Sequence, residues 1–144
     1  MIEIKRMKFI SRGVAQKFVP AAQKEWAVLK NVRTLLWAKT SALWVLYHEG
    51  EPLCVIGFVR TTLAGTGCDL YFFLCEKGVT RLKFLLRFIK SALRKTLNFY
   101  PLITVKVLDT FSAGKVFARK LNFNPVLAQV SDGTNNFTLF EMRK

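Results

Sequence analysis

The sequence predicts a single α/β (α+β) domain over residues 1–144, its elements running β-α-α-β-β-β-α-β-α-β-β. Two local observations carry this, and composition supports it. Leu70 to Cys75, LYFFLC, is an unbroken aromatic and aliphatic run rich in strand formers and too short for a helix, so it reads as a buried central strand. After only Glu76-Lys77-Gly78-Val79, a helix begins near Thr80. It places Leu82, Leu85, Leu86, Ile89 and Leu93 on one face. With 51% hydrophobic and 13% aromatic residues in 144, the chain can bury a real core.

In chain order, Ile2, Ile4, Met7 and Phe9 alternate with charged residues, predicting a strand over the first ten residues with a slip near Arg6. Ser11-Arg12-Gly13 ends it. Val14 to Phe18 suits one short helix. Pro20 suits the first turn of a longer one reaching about Lys39, with an apolar stripe of Trp26, Leu29, Val32 and Leu36 and with Val28 and Leu35 beside it. Ala42 to Tyr47 and Leu53 to Val59 are strand-like runs across the hairpin punctuation His48-Glu49-Gly50-Glu51-Pro52, and a loop from Thr61 to Gly67 follows. Beyond Asn98 to Pro101, Leu102 to Leu108 reads as a strand. Asp109 and Thr110 offer caps for a helix through Leu121, with Val116, Phe117 and Leu121 on its apolar side. Asn122 is a left-handed helix stop, Pro125 prevents resumption, and Val126–Val130 and Phe137–Met142 form a hairpin across Ser131-Asp132-Gly133.

Charge speaks to partners. Against 9 Asp plus Glu stand 23 Lys plus Arg, a net +14, which favours nucleic acid, acidic protein surfaces, anionic lipid or a polyanionic cofactor. Lys83, Arg87, Lys90 and Arg94 share one stripe of the central helix, beside Phe84 and Phe88, which fall away from its leucine face. That stripe is either solvated or meets an anionic or protein partner. Cys54, Cys68 and Cys75 sit in apolar runs as buried thiols, and with one histidine, His48, a metal site has almost no ligands. No signal-peptide pattern opens the chain and no apolar run approaches the roughly 20 residues that span a bilayer, so an intracellular, unsecreted protein is expected.

The short turn from strand to helix is a possible anion site, because it aims backbone N–H groups outward at the positive end of a helix dipole. Lys77 and Arg81 could neutralise a phosphate, and Thr80 could cap the helix or bind an oxygen. An ordinary helix cap explains the same residues.

This order of elements resembles the GNAT superfamily of acyl-CoA-dependent N-acetyltransferases. The most specific local piece is Leu102 to Phe123, LITVKVLDTFSAGKVFARKLNF, in which Lys120, Leu121 and Phe123 match and Asn122 stands where the family has glycine. The resemblance implies a mixed central sheet of about seven strands and an acetyl-CoA site at the central strand and its turn. Phe73 and Leu74 would lie along the pantetheine, and Cys75, Lys77, Gly78, Val79, Thr80 and Arg81 around the pyrophosphate. The pattern is degraded. Cys75 occupies the Gln/Arg position, Thr80 the second glycine, and Ala118 the position of the tyrosine general acid. Alanine cannot protonate a thiolate. Glu76 and Asp69 remain as weak candidate bases, and Cys75 as a nucleophile lacks an evident partner.

A narrower resemblance is to short GNAT-like proteins of tailed bacteriophages, including internal virion proteins. It rests on Gly50-Glu51-Pro52-Leu53, Asp69 to Cys75, Lys115 to Phe123, and Asp132-Gly133 followed by Phe137-Thr138-Leu139-Phe140. It implies a protein made in the host cytoplasm and carried in a virion, with other phage proteins as partners, acetyl-CoA binding weak or absent, and weak non-specific nucleic-acid binding. The alternatives are an active N-acetyltransferase and a basic nucleic-acid-binding module. No helix-turn-helix, zinc finger or RNA-binding sheet signature supports the last.

Overall fold

A computed structural model of the chain describes residues 2–29, 41–60, 67–131 and 135–144. Among them seven strands form one sheet in the order β1-β2-β3-β4-β5-β7-β6. They are β1 (Ile2–Met7), β2 (Ser41–His48), β3 (Glu51–Arg60), β4 (Gly67–Leu74), β5 (Leu102–Leu108), β6 (Asn124–Ser131) and β7 (Asn136–Arg143). The sheet is mixed: β4 and β5 pair in parallel, while β1–β2, β2–β3, β5–β7 and β6–β7 are antiparallel. Among the described residues the helices are α1 (Arg12–Ala15), α2 (Pro20–Val28), α3 (Leu82–Thr96) and α4 (Ser112–Lys120), with a 3-10 helix at Glu76–Arg81 leading into α3. Element order and fold class are those the sequence predicts. Among the described residues no helix is long and apolar enough to cross a membrane. The chain divides into two compact units, Met1–Val59 with Tyr71–Leu82, and Arg60–Leu70 with Lys83–Lys144.

In the first unit, β1 pairs with β2 from Ile2↔His48 to Met7↔Leu43 without the slip expected at Arg6, and the strand stops at Met7 rather than near residue ten. Its alternation buries nothing fully, since Ile4 and Phe9 are exposed. Lys5 and Arg6 instead lie over the rings of Tyr47 and Trp44. The first helix begins earlier than expected because Ser11 caps it, its Oγ accepting from Val14 N–H at 3.2 Å. In α2 the buried positions are Ala22 and Glu25, which lie outside the expected stripe, and Leu29 just past the helix, which belongs to it, is buried too. Trp26 is half-buried, and the remainder of the expected stripe, Val32, Leu35 and Leu36, lies outside the described residues. Phe18 and Phe73, both at 0% exposure, stack at 5.2 Å, and Trp26 meets both rings edge-on. Each such ring pair adds about 1 kcal/mol beyond its buried area.

The β2–β3 hairpin closes through Glu49 (φ 52°) and Gly50 (φ 79°), two left-handed residues in a two-residue turn. Pairing jumps from Tyr47↔Pro52 to Leu46↔Cys54, so Leu53 is an extra, bulged residue. A bulge beside it tolerates Pro52, which has no N–H for the ladder.

In the second unit, β4 starts at Gly67, before the expected Leu70, and pairs with β5 from Gly67↔Leu102 to Asp69↔Thr104. The residues 61–66 of the expected loop lie outside the description. Leu85, Ile89 and Leu93 form the buried ridge of α3, while Leu82 and Leu86 are half-buried at its flanks. The expected caps of α4 are absent, because Phe111 takes that place without a side-chain cap. Asp109 turns instead to the Thr138 hydroxyl at 2.5 Å and to Lys115 at 3.3 Å, and that hydroxyl first, then the lysine, holds its carboxyl below the usual range. Leu121 is buried as expected, but Val116 is exposed and Ala118 is buried in its stead, which shifts the helix's inward face. Asn122 does take the left-handed conformation, at φ 72°, and Phe123 N–H donates to Ala118 O at 3.1 Å to close the helix end. The last hairpin starts at Asn124, two residues before the expected strand, and its residues 132–134 are not described.

Candidate functional site

The turn after β4 lies wholly in the first unit, where backbone from three directions meets it. Cys75 N–H donates to the carbonyl of the bulged Leu53 at 3.0 Å. Glu76 N–H donates to Lys17 O at 2.9 Å and Val19 N–H to Leu74 O at 2.9 Å, so Lys17–Val19 runs as a short strand along the end of β4, with Phe18 bridged to Cys75. Gly78 N–H donates to Cys75 O at 2.9 Å. The helical stretch starts at Glu76, so two of its first three N–H groups are already satisfied within the unit.

Gly78 is buried for a reason unrelated to φ. A Cβ there would stand 2.2 Å from Leu53 O, 2.9 Å from Leu74 Cδ1 and 3.0 Å from Leu53 C. Backbone packs directly against backbone, and only glycine leaves the space.

The other expected cofactor residues divide between core and surface. Phe73 is spent on the aromatic stack, and Leu74 offers its carbonyl to Val19. Burial pushes the Cys75 thiol up to about 12, so it is neither a cation replacing Gln or Arg nor a thiolate at neutral pH. The Thr80 hydroxyl donates to Lys77 O at 3.4 Å, and among the described residues it accepts from no backbone N–H as a cap would. Lys77, Val79 and Arg81 are exposed. Arg81 Nη2 lies 3.3 Å from His48 Nε2, a contact in which the guanidinium donates and the ring nitrogen accepts. Lys17, beside the turn in sequence pairing, forms a loose ion pair with Glu51 at 3.8 Å.

The two candidate bases belong to different units. Glu76 is exposed in the turn, whereas Asp69 is half-buried in the second unit and accepts the Thr104 hydroxyl, tying β4 to β5. Ala118, where the resemblance places a tyrosine, is buried at 3% exposure. Among the described residues no three His, Cys, Asp or Glu side chains gather as a metal site. The cationic and aromatic residues Lys83, Phe84, Arg87, Phe88, Lys90 and Arg94 line α3 in the second unit.

Glu25 is the titratable group that sequence reasoning missed. Burial in α2 pushes its carboxyl up to about 7. Its neighbours in sequence, Lys24 and Trp26, gave no sign that the glutamate is buried.

Similarity to solved structures fits this architecture. The chain matches an acetyltransferase from Bacillus subtilis in complex with CoA at TM-score 0.69, 8% identity, covering 100% of this chain and 99% of the other. It matches the IAA acetyltransferase from Bacillus cereus at TM-score 0.66 and 13% identity, covering 100% of both chains. The Campylobacter jejuni N-acetyltransferase PseH in complex with acetyl coenzyme A matches at TM-score 0.61 and 14% identity, covering 100% and 99%. The chain has the GNAT fold. At these identities the likeness carries the GNAT architecture and not its chemistry, and it lends nothing to the narrower phage resemblance. Neither a protein-family profile nor a curated protein sequence matches the chain.

Proposed function

We propose that this chain is a GNAT-fold binding protein whose cofactor turn has been closed by its own backbone, and that it does not transfer acyl groups through that turn. One observation carries the reading: the Leu53 carbonyl occupies the space beside Gly78 and takes the Cys75 amide, while Lys17 O takes the Glu76 amide. A phosphate wrapped by this turn needs donors, and three of the turn's amides already have acceptors. The finer reading, a component of a phage particle or of its assembly, is supported only by the sequence resemblance in Gly50–Leu53, Asp69–Cys75, Lys115–Phe123 and Asp132–Phe140.

Isothermal titration with acetyl-CoA tests this. No saturable binding is expected below about 1 mM, a binding free energy weaker than about −4 kcal/mol. The second reading, a working acetyltransferase, draws on the exposed Lys77 and Arg81 and on neighbours crystallised with CoA and acetyl-CoA. It predicts micromolar, stoichiometric binding that Lys77→Ala and Arg81→Ala each weaken by about 1–2 kcal/mol. That outcome would sink the proposal.

A further inference from the structure

The exposed side of α3 carries two parallel rows. Lys83, Arg87, Lys90 and Arg94 are spaced four, three and four residues apart, which aligns them along the helix, and Lys95 adds a fifth cation. The helix, LKFLLRFIKSALRKT, contains no Asp or Glu, and among the described residues none of these five cations enters an ion pair. The second row is aromatic. Phe84 and Phe88 stack on each other at 6.4 Å with ring planes 24° apart; Phe84 is 41% exposed and Phe88 is half-buried, one side of its ring covered. The backbone keeps turning beyond Thr96, with Leu97 N–H on Leu93 O and Tyr100 N–H on Thr96 O, and Phe99 in that turn is 78% exposed. From Phe84 to Thr96, where α3 ends, the helix rises about 18 Å, and Phe99 lies three residues further on. At helical periodicity the cations and the rings flank the side opposite the buried Leu85, Ile89 and Leu93.

Evenly spaced cations without counter-charges match evenly spaced anions, and exposed flat rings match flat apolar faces. Single-stranded nucleic acid offers both, phosphates along its backbone and unstacked bases beside it. A duplex keeps its bases stacked internally and leaves the rings without partners. An acidic protein segment matches the cations only.

We infer that this side of α3 binds single-stranded nucleic acid without sequence preference, phosphates on Lys83, Arg87, Lys90 and Arg94, bases on Phe84, Phe88 and Phe99. The net charge of +14 steers the strand toward it. None of these residues lies in the turn after β4, so the acetyl-CoA titration and this binding succeed or fail separately.

Fluorescence anisotropy with a labelled oligothymidylate of about 16 nucleotides tests it on the full chain. The expected result is tighter binding of the single strand than of a duplex of equal length. The slope of log K against log salt should be near −3, about 0.7 for each of four phosphates. Replacing all four cations by glutamine should flatten that slope. Phe99→Ala alone, at a position too exposed to matter for folding, should lower affinity about tenfold with the slope unchanged. Equal affinity for duplex and single strand, an unaltered Phe99→Ala protein, absence of binding at low salt, or preference for a glutamate-rich peptide over the oligonucleotide would each overturn the inference.

Discussion

Replacing Gly78 by alanine is expected to destabilise the protein by about 3 kcal/mol, the upper end of the cost of overpacking a filled interior. The added methyl would stand 2.2 Å from Leu53 O, and neither side can retreat cheaply. Leu53 is fixed as the bulge of β3 and by the hydrogen bond from Cys75 N–H, and moving it breaks both. Gly78 is held on its own side by its bond to Cys75 O. Urea unfolding of Gly78→Ala beside the parent measures the cost. An open phosphate-binding turn would make the opposite prediction, a loss of ligand affinity with stability changed by less than about 0.5 kcal/mol.

Glu25→Gln is expected to have a comparable effect of the opposite sign, absent near pH 4.5 and full above about pH 7. Burial raises the folded carboxyl from 4.5 to about 7. Between those values the native state keeps a proton that the unfolded chain has released, so raising the pH through this window removes stability from the native state. The loss approaches about 3 kcal/mol above the folded pKa, at about 1.4 kcal/mol per unit. Glutamine keeps the shape and cannot ionise. The variant should therefore match the parent near the acid end of the window and exceed it by up to about 3 kcal/mol at about pH 8. Stability curves for the two proteins that run parallel from acid to alkaline pH would show that Glu25 is not buried as described.

Local patterns carried the fold a long way. The period-two runs, the left-handed Asn122 and the leucine ridge of α3 each follow from residues within a few positions of one another, and the order of elements with them. The glycine of the turn was visible too, but its meaning was not. A glycine that admits a phosphate and one that admits a neighbouring carbonyl look the same in sequence, and the neighbour here lies 25 residues earlier, on a bulge that Pro52 alone hinted at. The strand-like Lys17–Val19 is likewise fixed by partners nearly 60 residues away and sits where local spacing suggested helix. Glu25 and Val116 fail for a related reason: periodicity names an apolar face, but which side of a short helix turns inward is decided by what it packs against. Asp109 looked like a cap until Thr138, 29 residues on, claimed its carboxylate.

Amide hydrogen exchange at Cys75 and Glu76, with and without acetyl-CoA, reads the closed turn directly. If Leu53 O and Lys17 O hold these two N–H groups, both amides exchange slowly in the protein alone, and millimolar acetyl-CoA leaves their rates unchanged. Fast exchange in the free protein, slowed at both positions when acetyl-CoA is added, would mean that the turn is open and waiting for phosphate, and would contradict the account.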